Sequence, residues 1–580
     1  MIGRSTFLLP LLLLALIVPP LSATGGPAKA PAKITWKKTV IDDAFRSEGV
    51  CVVDVNKDGR PDIIVGDCWY EAPKEKGGKW TRHIMRNDKT GKPADRKWDP
   101  KAYSDSFACF SDDFNGDGYP DVIVIPWPGD PCYWYENPGP KGGLWTQHLL
   151  TNSACNETPI FIDLFKTGKK VLVMGWQPER FDDKGKKQGN YNDRGEMCYF
   201  LPDKDPTKPW IRHSISGPSD PAKKYQVPGT QMFSHGLGHG DVNGDGRVDI
   251  ICTGGWWEQP EKIDGKPWTF HPANLSNGCA DMHVYDVDGD GVNDIICSAP
   301  HWYGLYWFQG RKEDKGLIFL QRELIPMPAT LAKQAADAKF LGKEEAQLYD
   351  AINKLRDGWY RKAHLVAHPE LSQMARDHAE RSLKAKPGTD VNIGGKYKGK
   401  IVNVLEIIVS GKVDDVAKTI LEKAEHGVLR PGFEIGIGFA RQGEDNARYT
   451  IIVGDRGLFS LPSATHALHC VDIDGDGLKD LVTGRRYWAH APNPKGGGGD
   501  QGVNDPAYLY WFRASKDKTG FTTFIPEMID DDSGVGTQFE VADINGDGLL
   551  DVIVSNKRGV FVFQQVRGPA ADSVPPKREE

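Results

Sequence analysis

One pattern recurs along these 580 residues and limits the possible folds more than any other feature. "DVNKDGRPD" starts at Asp54, "DFNGDGYPD" at Asp113 and "DVNGDGRVD" at Asp241. "DVDGDGVND" starts at Asp286, "DIDGDGLKD" at Asp472 and "DINGDGLLD" at Asp543. These are six copies of D-x-[DN]-x-D-G-x-x-D, a pattern that average composition produces about once per million positions. A seventh stretch, "FIDLFKTGKKVLVMGW", keeps Asp163 and the strand after it but loses the other carboxylates. The chain therefore reads as seven repeated units, six of them acidic.

The chemistry of each loop is that of a hard-cation cage. Oxygen side chains at positions one, three and five, a glycine for the sharp turn and a further Asp suit calcium. The candidate ligands are Asp54, Asn56, Asp58 and Asp62; Asp113, Asn115, Asp117 and Asp121; and Asp241, Asn243, Asp245 and Asp249. The other three loops supply Asp286, Asp288, Asp290 and Asp294; Asp472, Asp474, Asp476 and Asp480; and Asp543, Asn545, Asp547 and Asp551. Up to six structural calcium ions are expected. The loops are not EF-hands, because the twelfth position of the first is Val65 rather than Glu. Their flanks, "DIIV", "DVIV", "DIIC" and "DLVT", are short β-branched runs, so each loop joins two strands. A solvated acidic turn that binds nothing is the alternative.

An aromatic third strand follows in each unit, as in "CWYEAP", "CYWYENP" and "GWWEQP", and then a fourth, as in "WTRHIM", "WTQHLL" and "WIRHSI". The chain opens with "ITWKKTVID", a fourth strand without its first three, and its last unit lacks a fourth. The N-terminal strand is expected to complete the last sheet and lock a ring. The predicted fold is mainly β: a seven-bladed β-propeller closed by an N-terminal strand, with an inserted α/β domain. Separate sandwiched sheets would leave the closing strand unexplained.

These residues resemble the FG-GAP or VCBS repeat family of calcium-loop propellers over nearly everything outside one insertion. "WYENP" and "GLGHGDVNGDG" also resemble the propeller of aldos-2-ulose dehydratases, secreted metal-dependent sugar lyases, although the cupin part of such enzymes has no counterpart here. Successive loops begin 45 to 78 residues apart, except the fifth and sixth, which are 186 apart. The excess, 329–455, carries helical periodicity in "EEAQLYDAINKLRDGWY" and "HPELSQMARDHAERSLK". It resembles the CAP (SCP-like) domain, in which two histidines and two acids line a cleft. Glu406 and His426 match one acid and one histidine of that cleft. The first histidine has no counterpart, and His378 falls on a helix outside the cleft, which is expected to be incomplete.

Arg4, the apolar run Phe7–Val18 and the small residues ending at Ala23 read as a secretory signal peptide, residues 1–23. A linker (24–33), a first set of blades (34–328), the insertion, a second set (456–567) and a disordered tail (568–580) follow. The mature protein is expected to be secreted or periplasmic, with no membrane span. Ten cysteines permit disulfides, but spacing leaves their pairing open. The net charge of -7 says little about partners, and no basic stripe suggests nucleic acid. No nucleophile elbow, P-loop, dinucleotide fingerprint or zinc-protease motif occurs.

In a ring, all acidic loops share one face, and the starts of the innermost strands share the other. Six residues before the first Asp of each loop stand Glu48, Phe107, Glu157, His235, Ala280, His466 and Thr537. Asp281 and Gln538 lie one residue further on, and His239 lies deeper on the face of His235. His283 and His469 have the opposite parity and are expected between blades. The ends of the second strands bring Asp67, Trp127, Trp256, His301, Arg485, Arg486, Lys557 and Arg558 to the same mouth. Such a site could hold zinc or another divalent ion on two His and two Glu. His235, His466, Glu48, Glu157, Asp281 and His301 are the candidate ligands or acid/base groups, with Arg485 and Arg486 as substrate clamps. The expected activity is a metal-assisted lyase or isomerase reaction on an oxidised sugar, with the insertion as a lid. Two alternatives remain open: an extracellular module that binds glycans or proteins without catalysis, and a propeller that presents the CAP-like domain. A wet channel lined by solvated polar groups needs no function at all.

Overall fold

The computed structural model describes residues 32–570, apart from 88–89, 179–193, 221, 223–225, 276–278, 302–304, 315, 323, 325–337, 361–365, 387–390, 396–399, 409–414, 418, 420–433, 444–445, 456–463, 489–505 and 517–519. The signal peptide, most of the linker and most of the tail expected from the sequence lie outside the described residues, as does His426. Two compact units are distinguished: Trp36–Gln565, and the terminal residues Met1–Thr35 with Val566–Glu580. In the terminal unit, the Thr35 hydroxyl lies 3.4 Å from the carbonyl of Val566, to which it donates.

The molecule is mainly β. Sheet one comprises Cys51–Val53, Asp62–Val65, Cys68–Glu71 and Thr81–Ile84, each strand antiparallel to the next. Sheet two runs Ala108–Asp112, Asp121–Ile125, Cys132–Glu136 and Thr146–Thr151, and sheet three Ile160–Ile162, Val171–Trp176, Glu196–Leu201 and Ile211–Ser214. Sheet four (Leu237–Gly240, Asp249–Cys252, Gly255–Glu258, Thr269–Pro272) and sheet five (Asp281–Tyr285, Asp294–Ser298, Leu305–Glu313, Gly316–Arg322) join through parallel pairing of their innermost strands, His239 opposite His283. Sheet six holds Leu468–Val471, Asp480–Gly484, Leu509–Lys516 and Thr522–Asp530. Sheet seven holds Phe539–Ala542, Asp551–Asn556 and Gly559–Ala570, and its fourth place is filled by the N-terminal strand Ala32–Asp42.

The second strand of each sheet is buried along almost its whole length, which is why it reads as an unbroken apolar run rather than an alternation. Neighbouring sheets share cores in chain order. Ile64 packs with Val122 and Tyr135, Ile123 with Leu172 and Phe200, and Val173 with Ile250 and Trp257. Ile251 packs with Ile295, and Ile296 with Leu481 and Phe512. His469 Nε2 contacts the carbonyl of Phe539 at 2.8 Å, linking sheets six and seven. The backbone N–H of Thr537 donates to the carbonyl of Glu48 at 2.9 Å, so the last sheet meets the first. Each sheet thus covers a face that it could not bury alone.

The insertion forms its own sheet in the order Val366–Ala367, Glu434–Arg441, Ala447–Asp455 and Lys400–Ile408, with helices α1 (Lys343–Tyr360) and α2 (Pro369–Lys384). Leu371, Met374, Ala375, His378, Ala379 and Ser382 form the buried stripe of α2, and Pro369 opens it at a position that needs no N–H. The helix lies so close to the sheet that a Cβ at Gly436 or Gly438 would fall 2.2 or 2.1 Å from its backbone. Glu406 is exposed, pairs with Arg448 at 2.5 Å and accepts from the Ser382 hydroxyl. His378 is buried against Thr450 Oγ1 at 3.1 Å and the carbonyl of Val391 at 3.0 Å, a structural position.

Candidate functional site

The acidic loops share one internal scaffold. In the second loop, Asp113 accepts from the N–H groups of Gly116, Asp117 and Gly118 at 2.7, 3.1 and 2.8 Å, and Asp117 accepts from Tyr119 N–H at 2.8 Å. The degenerate loop keeps the first of these clamps, with Asp163 accepting from Thr167 and Gly168. The ninth-position Asp is buried and braces the sheet: Asp121 accepts from Phe114 N–H at 3.0 Å and Asn137 N–H at 2.8 Å. Burial, and then the other loop carboxylates, push Asp62, Asp121, Asp249 and Asp551 up to about 7, and Asp480 to about 6.

The loops divide by the residue at position three. Where it is Asp, three carboxylates converge: Asp286, Asp288 and Asp290, or Asp472, Asp474 and Asp480, have donor oxygens within 4.8 Å of one another. That donor set fits a hard divalent cation. Where it is Asn, the side-chain amide donates to position five instead, as Asn56, Asn115 and Asn243 do to Asp58, Asp117 and Asp245 at 3.0–3.2 Å. Asp58 and Asp245 also pair with Arg60 and Arg247 of their own loops.

At the other end of the innermost strands, side chains from all seven sheets or their leading loops assemble. Arg486 is fully buried. Its guanidinium donates to Glu157 Oε2 at 3.1 Å and to Glu48 Oε1, joining residues that precede sheets three and one. The two carboxylates hold the guanidinium above its ordinary value. Lys557, from the end of the second strand of sheet seven, lies 3.7 Å from Glu48 Oε1 and donates to the carbonyl of Trp488 at 2.9 Å. Burial, and then the charge of Arg486, lower Lys557 to about 8. Two acids and two bases are therefore internally balanced, as buried charges require.

Beside this quartet stand three imidazoles. His235 Nε2 lies 4.0 Å from Glu157 Oε2, and the His235 ring is 4.8 Å from His301 and 5.2 Å from His466 between centroids. One donor atom each from Glu157, His235 and His466 lies within 4.8 Å of the others. His466 Nδ1 contacts the carbonyl of Ala464 at 3.0 Å. A carbonyl only accepts, so in the neutral ring Nδ1 carries the proton and Nε2 is the basic nitrogen, the arrangement found in metal-ligating histidines. One carboxylate and two imidazoles fit zinc or a similar ion, and three protein ligands leave a position open.

An aromatic wall completes the site. Trp127 meets Tyr103, Phe107 and Phe233 edge-on at 5.1, 5.7 and 5.2 Å. The Lys557 ammonium lies 4.1 Å from the centre of the Tyr103 ring, a cation–π contact. Ser104 donates to Glu48 Oε2 at 3.3 Å. Tyr103 and Ser104 belong to the connection between sheets one and two, which packs against the quartet. This connection is fixed by ion pairs of Arg96 with Asp67 and Asp105 and of Arg86 with both.

Most of the other candidates are engaged in contacts within or between sheets. Asp281 is engaged between sheets, accepting from Leu468 N–H at 2.9 Å. Arg486 serves as a bridge between the two acids rather than as a substrate clamp. Arg485 is buried beside it, its N–H donating to the carbonyl of Tyr508 at 2.8 Å. Asp67 pairs with Arg96, and Arg558 with Asp532. Trp256 belongs to the third strand, stacked on His271 at 4.2 Å. His283 sits between innermost strands, 2.8 Å from the carbonyl of Leu468. His239 is half-buried on the innermost strand of sheet four, opposite His283, and desolvation lowers it to about 4.

Comparison with known proteins adds the repeat's identity over part of the chain. Residues 472–554 match the FG-GAP-like repeat, from the first Asp of the sixth loop into the second strand of sheet seven. No curated protein matches the chain. A crystal structure of BBS1N in complex with ARL6DN, soaked with mercury, is similar over 50% of this chain and 88% of that chain, at 10% identity and a TM-score of 0.20. The chain is thus mainly β and carries an FG-GAP-like repeat over residues 472–554.

Proposed function

We propose that the chain is an exported, calcium-stabilised seven-bladed β-propeller that holds a divalent metal on Glu157, His235 and His466 and acts as a lyase or isomerase on oxidised sugars. In this reading the acidic loops are structural calcium sites, and the insertion is an appended CAP-like domain. The observation that carries it is the convergence of one carboxylate and two imidazoles, donor atoms within 4.8 Å, from segments leading into three different sheets. A bound divalent ion supplies Lewis acidity at a sugar carbonyl. His301, beside His235, is the group suited to move a proton at the neighbouring carbon. Trp127, with Tyr103 and Phe233, offers half-exposed apolar surface for a sugar ring. Arg486 pairs with both Glu48 and Glu157, and Lys557 lies beside Glu48.

A second reading is a glycan- or protein-binding module without catalysis. It is favoured by the burial of Glu48, His466 and Arg486 and by the internal charge balance, which resemble a structural plug. The deciding experiment exchanges the full chain into calcium, measures bound zinc, manganese and iron, and then screens oxidised and unoxidised sugars for turnover. The first reading expects about one transition-metal ion per chain, lost together with turnover in the His235→Ala, His466→Ala double variant. Calcium alone, with no sugar consumed by either protein, removes it.

A further inference from the structure

Ten cysteines are present, and the nine that are buried include two whose sulfurs meet. Cys279 Sγ lies 2.6 Å from Cys297 Sγ, inside the separation at which two unbonded sulfurs rest. We propose that Cys279 and Cys297 form a disulfide when the chain folds under oxidising conditions. Cys279 lies in the connection that leads into the innermost strand of sheet five, and Cys297 near the end of the second strand, opposite Met282. Between them the backbone is already fixed, because Ala280 N–H donates to the carbonyl of Ser298 at 2.9 Å. Both sulfurs sit in one apolar cluster with Met282 and Ile295, and the Cys279 thiol also donates to the carbonyl of Leu275 at 3.0 Å.

The step is a thiol–disulfide exchange. One cysteine thiolate attacks a small-molecule or enzyme disulfide and expels one thiol. The second cysteine then attacks the mixed disulfide and expels the other. The Cys279–Cys297 bond forms, and two electrons and two protons pass to the oxidant. Since both sulfurs are buried in the finished sheet, the exchange belongs to folding, and the bond resists mild reductants afterwards. Its consequence is local. It ties the connection between sheets four and five to the strand that ends just before His301.

The test is a count of thiols. The full chain is refolded in a glutathione redox buffer, denatured without reductant, alkylated with N-ethylmaleimide and digested for mass spectrometry. The expected result is eight alkylated cysteines and one cross-linked peptide pair, Cys279 with Cys297, two mass units below the sum of the free peptides. The Cys297→Ser variant is expected to show nine alkylated cysteines, including Cys279. The Cys279→Ser, Cys297→Ser double variant is expected to melt a few degrees lower than the oxidised protein and no lower than the reduced one. Ten alkylated cysteines in the parent overturn the proposal, as does a cross-link joining either residue to a different cysteine.

Discussion

Phe233, Ala464 and Trp488 have positive φ values of 63°, 52° and 52°, and each stands two residues from His235, His466 or Arg486. Bulky residues rarely hold this conformation, at a cost of about 1–3 kcal/mol each, and it persists where the surroundings over-determine it. Here the gain is visible: the strained Ala464 turns its carbonyl onto His466, and Trp488 turns its own onto Lys557. None of this is legible in the sequence. Glu48, Glu157, His235 and His466 could be aligned because each keeps a fixed distance from its loop. Tyr103 and Phe233 lie in connections that follow no repeat, and the role of Arg486 emerges only when the segments leading into sheets one and three converge. Glu540 supplies a residue-level prediction. It sits on the innermost strand of sheet seven, and burial pushes its carboxyl from 4.5 to about 7. The native state then binds this proton more tightly than the unfolded chain, so stability falls as pH rises from about 4.5 to about 7 and that loss is complete above 7. Glu540→Gln removes the dependence. Unfolding free energies from urea titration are expected to match the parent at pH 4.5 and to exceed it at pH 8 by roughly 1–3 kcal/mol. Unfolding free energies equal to the parent's at both pH values would contradict the assignment.

Sheet elements were readable because the loops punctuate them, but what fastens one sheet to the next was not. Asn137, from the "YENP" turn of sheet two, donates to the carbonyls of Val55 and Pro120 at 3.0 Å each. Gln259 does the same for Leu164 at 2.9 Å, and Gln565 for Ile473 at 2.8 Å. Each long amide reaches back to the second residue of the preceding loop. The pattern is a single polar residue after an aromatic strand, which a sequence offers no reason to single out. Asn137→Leu leaves two buried carbonyls without this donor, and a loss of about 1–3 kcal/mol in chemical denaturation is expected. A loss below 0.5 kcal/mol would place these staples among the dispensable contacts. The loops themselves carry a second prediction at this scale. Asp288→Asn and Asp474→Asn convert the two loops with three converging carboxylates into the Asn type. Calcium affinity follows carboxylate count, so calorimetric titration of either variant is expected to lose one tight site while the weaker ones persist. An unchanged isotherm would show that the acidic loops do not rank by charge.

The whole molecule depends on whether its sheets close on themselves. In an open array, the N-terminal strand is one edge among others, and its loss frays sheet seven alone. In a ring, it stiffens the junction on which sheet one also rests. That junction is tight: a Cβ at Gly536 would lie 1.9 Å from the carbonyl of Glu48, and Ser47 and Ser555 share a hydroxyl contact of 3.0 Å. Within the larger unit, Lys38 pairs with Asp530 at 2.8 Å and lies 4.8 Å from the ring of Phe561, while Asp42 accepts from the Tyr70 hydroxyl of sheet one at 2.6 Å. One strand therefore touches sheets six, seven and one. A chain begun at Asp43 loses all of these contacts but keeps every acidic loop and every member of the Glu48–Arg486–Glu157 group. Hydrogen exchange separates the two architectures. For a closed ring, amides of Cys51–Val53 and of Phe539–Ala542 are expected to lose protection together, because freeing one side of the junction frees the other. Loss confined to Gly559–Ala570, with Cys51–Val53 as slow as in the parent, would leave an open row of sheets. Residues that precede sheets one and three would then be held together by Arg486 alone.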